Sequence, residues 1–71
     1  MNRAQIQHIG EVAVGAALQA IGPNRHVAVI VVVHPLGEKG APVDIATNIT
    51  SGAPDVAALL EEAVVMVRTE Q

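Results

Sequence analysis

Cysteine and aromatic residues are both absent from this 71-residue chain, and the two gaps restrict how it can be held together. Without thiols there is no disulfide and no thiolate metal site, and cysteine usage leaves the redox compartment open. Without Phe, Trp or Tyr, rings that each bury ~150–250 Å² are missing from the interior. The core falls to Val, Ile and Leu, diluted by 12 Ala. The same absence removes any platform on which single-stranded bases could stack. Positive charge is scarce too: four Lys and Arg stand against seven Asp and Glu, for a net charge of −3. Scattered as they are, these four make no basic patch, which excludes DNA and RNA as partners. No apolar run reaches membrane length, and the amino terminus lacks the charged-then-apolar order of a secretion signal. The expectation is a soluble, cytoplasmic protein with no membrane partner. One domain, residues 1–71, is all the length allows. A chain of this size buries only ~60% of its unfolded surface. With neither disulfides nor rings, oligomerisation is the remaining way to stabilise it.

What is present is organised around Val27-Ala28-Val29-Ile30-Val31-Val32-Val33, seven apolar residues of which six are β-branched. Branching at Cβ restricts χ1 and favours a strand. A strand apolar at every position is expected to have both faces covered. Before it, residues 3–21 read as a helix, with Ile6, Ile9, Ala13, Ala16, Ala17, Ala20 and Ile21 at three- and four-residue spacing. Val12, Val14 and Leu18 widen the apolar arc until only His8, Glu11, Gly15 and Gln19 remain as a polar seam. Gly10 and Gly15 each cost ~1 kcal/mol against Ala in a helix interior, so close approach of another backbone is expected there. This helix is expected to touch two neighbours. Gly22-Pro23-Asn24 stops it.

After His34-Pro35 and a Gly- and Pro-rich loop over 36–42, residues 43–49 alternate. Val43, Ile45, Thr47 and Ile49 make the apolar face of a half-buried strand, with Asp44, Ala46 and Asn48 on the wet one. The short connection suits an antiparallel hairpin and is too short for a parallel crossover. Thr50 and Ser51 offer hydroxyls for an N-cap, with Pro54 and Asp55 in the first turn of a second helix running to about Arg68. Its core stripe is expected to be Val56, Leu59, Leu60, Ala63, Val64 and Val67, with Glu61, Glu62 and Arg68 in water. The order is an α+β αββα unit: an antiparallel β-hairpin and two flanking helices, its sheet completed by homo-oligomerisation. Pairing the central strand with its symmetry mate around Val29, Ile30 and Val31 gives four strands ordered second, first, first′, second′. Ala16 and Ala17 of the first helix add to that interface.

The apolar strand ending in a Pro/Gly loop, the segment Val43-x-Ile45-Ala46-Thr47-Asn48 and the closing Val56-Ala57-Ala58-Leu59-Leu60 resemble small αββα proteins of tailed phages and prophages. The resemblance covers about residues 26 to 67 and its motifs are unspecific. Relatives of this kind commonly have no assigned function. Some compact phage proteins sequester nucleotide signals of bacterial immunity, and an anti-defence sponge is what the resemblance implies here.

Chemistry-bearing residues are few. His8, His26 and His34 match no metal-ligand spacing, and His26 and His34 stand at opposite ends of the central strand, so no metal is expected. No cofactor is expected either. Ser51 lacks a nucleophile elbow, and the adjacent Glu61 and Glu62 point about 100° apart on their helix, so no catalytic residue is assigned. The informative cluster is Asn48, Thr50, Ser51 and Gly52. A strand feeding a glycine-containing loop and a helix N-terminus leaves N–H groups free for an anion, though helix capping explains the same residues. Arg25 or Lys39 would add countercharge, and the Gly37–Gly40 loop is a candidate flap. Two functions follow as expectations. One is a non-enzymatic homo-oligomer that holds a small anionic, nucleotide-like ligand. The alternative is a protein–protein interaction module that docks on and inhibits a host protein.

Overall fold

The computed structural model describes residues 1–70. It contains helix α1 (Arg3–Ile21), strands β1 (Ile30–Val33) and β2 (Asp44–Thr47), and helix α2 (Ala53–Thr69). The strands form an antiparallel hairpin with Ile30 opposite Thr47, Val31 opposite Ala46, Val32 opposite Ile45 and Val33 opposite Asp44. The chain is α+β with the αββα order read from its sequence. No helix among the described residues is long and apolar enough to cross a membrane.

The first helix begins with a capping box. The Gln5 N–H donates to Asn2 Oδ1 at 2.9 Å, and the Asn2 N–H donates to Gln5 Oε1 at 2.9 Å. Two donors that the helix cannot satisfy itself are thereby paired. Gly22, at φ 88°, ends the helix and returns its N–H to the Leu18 carbonyl. Between these ends α1 lies on one face of the hairpin. Its line of closest contact is Ile6, Gly10 and Val14, spaced by four residues and all buried. A Cβ on Gly10 would stand 2.8 Å from Ala46 Cβ and 3.6 Å from Val33 Cγ2. Glycine is what lets the helix descend this far. Nothing lies within 4 Å of the corresponding position on Gly15, so close approach accounts for only one of the two glycines.

That contact decides which side of β2 is covered, and it reverses the expected assignment. Ala46 and Val33 face α1, and by alternation Val31 and Asp44 share their side. The opposite face carries Ile30, Val32, Ile45 and Thr47. Val32 is 56% exposed and Ile45 43%, so the apolar strand has only one face covered. Alternation reports two faces without saying which one meets the helix. A helix this close needs a small residue beneath it, and Ala46 provides one where Ile45 could not.

Both strands are shorter than the apolar runs suggest, four residues where seven were expected in each. The ladder ends at Thr47; beyond it the Asn48 N–H still donates to the Val29 carbonyl at 3.4 Å, and the Asn48 side chain bonds the backbone of Val27 and Val29.

The larger correction concerns α2. Its apolar stripe of Val56, Leu59, Leu60, Ala63, Val64 and Val67 is not part of the core. Among the described residues α2 has no buried residue and no substantial contact with α1, β1 or β2. Only Val56 and Leu60 are half-buried. The enclosed apolar side chains reduce to Ile6 and Val14. The molecule is correspondingly spread out: its radius of gyration is 13.5 Å, against about 11 Å for a compact domain of this length. It exposes 5599 Å², about 1,400 Å² more than the roughly 4,200 Å² of a compact monomer of 7.3 kDa.

The two glycines of α1 should respond oppositely to alanine. Gly10→Ala should lower stability by about 1–3 kcal/mol, because the new methyl meets Ala46 and the helix must lift. Gly15→Ala should raise it by up to about 1 kcal/mol through helix propensity alone. Urea unfolding of the two variants measures both; equal effects at the two positions would contradict the close approach.

Candidate functional site

The end of the hairpin remote from its connecting loop is where the candidate ligand residues gather. Here the α1–β1 loop runs beside the β2–α2 connection, leaving a groove of about 760 Å³ that opens to solvent. Ligand pockets commonly hold ~300–1,000 Å³, so the space suits a nucleotide-sized molecule. Leu18 and Ile21 at the end of α1, with Val27, Ala28 and Ile49, supply an apolar floor. Arg25, His26, Asn48, Thr50 and Ser51 supply the polar groups. Among the described residues no Asp or Glu lines the groove, although the chain as a whole carries a charge of −3.

Of the residues singled out from the sequence, Arg25, Asn48, Thr50 and Ser51 are thus brought together. Lys39 is not. It lies in the loop joining the strands, at the other end of the hairpin, with at least the ~13 Å length of a four-residue strand between. Beside it, Glu38 receives the terminal ammonium of Met1 at 2.9 Å in an exposed ion pair. That pair ties the Gly37–Gly40 loop to the start of α1, away from the groove.

Asn48 already has work to do. Its Oδ1 accepts from the Val29 N–H at 2.8 Å and its Nδ2 donates to the Val27 carbonyl at 2.9 Å. The amide therefore fixes the entry to β1, and half of its hydrogen-bonding capacity remains for anything else. On either side of it, Thr47 Oγ1 accepts from the Ile49 N–H at 3.1 Å and turns the chain out of the ladder.

Thr50 and Ser51 do not cap α2, contrary to the capping expectation. The N-cap is Gly52, at φ 121°, and no side chain bonds the free N–H groups of the first turn. A side chain rarely adopts that φ, so Gly52 serves the bend. Among the described residues neither the Thr50 nor the Ser51 hydroxyl makes a side-chain hydrogen bond, and both are exposed. Pro54 has no N–H, and Asp55 occupies the first turn with negative charge. The anion-attracting end of the helix is thus partly offset by its own acid.

Elsewhere the ionisable groups are dispersed. Glu11 is on α1, Asp44 on β2, and Glu61 and Glu62 on α2. Among the described residues no group of three His, Asp or Glu converges where a metal could be held. The Asn2–Gln5 capping box and the Asn48 clamp both escaped the sequence reading. The first is visible as Asn-x-x-Gln at a helix start; the second joins residues 19 and 21 apart and has no local signature.

Asn48→Ala should cost about 1–3 kcal/mol, since the Val29 N–H loses its acceptor in a part-buried setting. Asn48→Asp keeps an acceptor for Val29 but turns a carboxylate oxygen onto the Val27 carbonyl, so it should restore protection at Val29 without restoring the lost stability. Amide hydrogen exchange at Val29, faster in the alanine variant than in the aspartate variant, reads this directly. Comparison with known proteins yields no match, whether to a family model, to a curated protein or to a solved structure.

Proposed function

We propose that this chain is a non-enzymatic, homo-oligomeric binding protein of the cytoplasm that holds a small anionic, nucleotide-like ligand in the groove beside Arg25. One observation carries the reading: in a chain of net charge −3, the groove is lined, among the described residues, by Arg25 and His26 and by no carboxylate. An anion there meets a guanidinium suited to phosphate and two unengaged hydroxyls. The apolar floor of Leu18, Ile21 and Val27 would take a base or ribose face. Holding a ligand needs no converging acid and base, and the dispersed carboxylates agree with that. In the phage-like setting that the αββα pattern suggests, such holding amounts to sequestration.

A second reading has its own observation. The exposed stripe of α2 and the open face of the hairpin favour an interaction module that docks on a host protein. The two readings separate on ligand binding.

Calorimetry against cyclic dinucleotides, cyclic ADP-ribose and inorganic phosphate, with wild type, Arg25→Ala and the double variant Thr50→Ala/Ser51→Ala, is the test. These side chains are exposed and, among the described residues, make no hydrogen bond or ion pair that the fold would lose. The expected result is binding of a nucleotide that Arg25→Ala weakens ~10- to 100-fold, the worth of a charge-assisted hydrogen bond. No heat from any probe, or an affinity indifferent to Arg25, would leave the interaction module as the better account.

A further inference from the structure

We infer that α2 of one copy covers the open face of the hairpin of a second copy, and that the exchange is reciprocal. The inference rests on the homo-oligomer proposed above and specifies how it is built. Among the described residues, each chain carries one apolar helix stripe and one apolar sheet face that are left largely exposed. On α2 the stripe is Val56, Leu60, Ala63 and Val67, at spacings of four, three and four residues that keep all four on one side. On the hairpin the face is Ile30, Val32 and Ile45, extended by Val43, which is 58% exposed. A single copy half-buries Ile30, Val56 and Leu60 and leaves the rest of both in water, because α2 departs at Gly52 and makes no substantial contact with the strands of its own chain among the described residues.

The area agrees. A copy exposes about 1,400 Å² beyond what a compact monomer of its mass would. Two copies together would then remove roughly 2,800 Å², within the ~2,000–5,000 Å² of obligate homodimers and well above the ~800 Å² of incidental contacts. The dimensions agree too. The outer edge of β1 is unpaired, and joining it to its symmetry mate would merge two open faces into one of four strands, ~19 Å across at ~4.8 Å per strand. Two helices side by side at ~10 Å occupy that width. The result is a sheet with both α1 helices on one side and both α2 helices on the other, the arrangement that β1, apolar on both its faces, calls for.

Disulfide trapping tests the exchange, and the lack of native cysteine makes it clean. A tagged Val32→Cys chain is refolded with an untagged Ala63→Cys chain and oxidised. The expected product is a covalent heterodimer of both chains, with Ala63→Cys alone giving no cross-link and the Val32→Cys/Ala63→Cys double variant giving linked dimers. A cross-link in Ala63→Cys alone means that the apolar stripes of the two α2 helices face each other instead of the sheet and overturns the inference. A disulfide closed within the monomeric double variant means that α2 folds onto its own sheet and overturns it as well. If no cross-link forms although circular dichroism shows wild-type helicity, the exchange is wrong. Light scattering of the wild type assigns the failure. A dimer without the cross-link refutes the exchange alone, whereas a monomer at micromolar concentration refutes the homo-oligomer with it.

Discussion

The contact of Gly10 with Ala46 is what a single copy of this protein is built on. A chain without aromatic rings cannot gain contact area through large side chains, so it gains it through proximity. A glycine on the helix faces an alanine on the strand, and the backbones close in. Ile6 and Val14, one turn to either side, become enclosed as a result. The contact line from Ile6 to Val14 is only ~12 Å long at 1.5 Å per residue. Proximity of this kind makes a tight seam and a thin core, and it leaves Ile9, Val12 and Leu18 on the flanks of α1 partly in water. The outward spread of the molecule follows from the same composition.

Much of this architecture was legible in the residues, and what was not has physical causes. The span of α1 follows from its apolar spacing and from Gly22-Pro23, and the structure places it over those same residues. The hairpin follows from two β-rich runs with a short Gly- and Pro-rich connection. The covered face of β2 was not legible, because it depends on how near the helix comes, and that depends on pairing Gly10 with a small residue 36 positions away. The fate of α2 was not legible either. An amphipathic stripe states that a helix will bury one side without stating which molecule will bury it. Val56, Leu60, Ala63 and Val67 look identical whether the partner surface belongs to the same chain or to another.

The groove was partly legible for a related reason. Asn48, Thr50 and Ser51 stand together in the sequence as a loop and a helix start, Arg25 joins them as countercharge, and topology does bring the four together, since a hairpin returns the chain to where it began. Lys39 was grouped with them on charge alone, and the same hairpin carries it to the opposite end. The role of Asn48 was invisible for want of any local pattern: its amide reads the backbone of a segment that only the pairing of β1 with β2 brings near.

Residues 48 to 52 therefore hold three functions in five positions. Asn48 ends the ladder by bonding Val27 and Val29 through its side chain, Thr50 and Ser51 form one wall of the groove, and Gly52 turns the chain into α2. Gly52 takes a φ of 121°, and the helix that follows it makes no substantial contact with the hairpin among the described residues. A ligand seated against Thr50 and Ser51 and a second copy seated against α2 would then act on the same connector. Linkage requires that each alter the affinity of the other by an equal factor, unless the connector is indifferent to both. On the proposed reading the connector is held at its first residue by a two-bond amide clamp and turned at its last by glycine, so order imposed at Thr50 and Ser51 would bear on the direction α2 takes. On the proposed reading, the filling of the groove and the assembly of the protein are two views of one equilibrium.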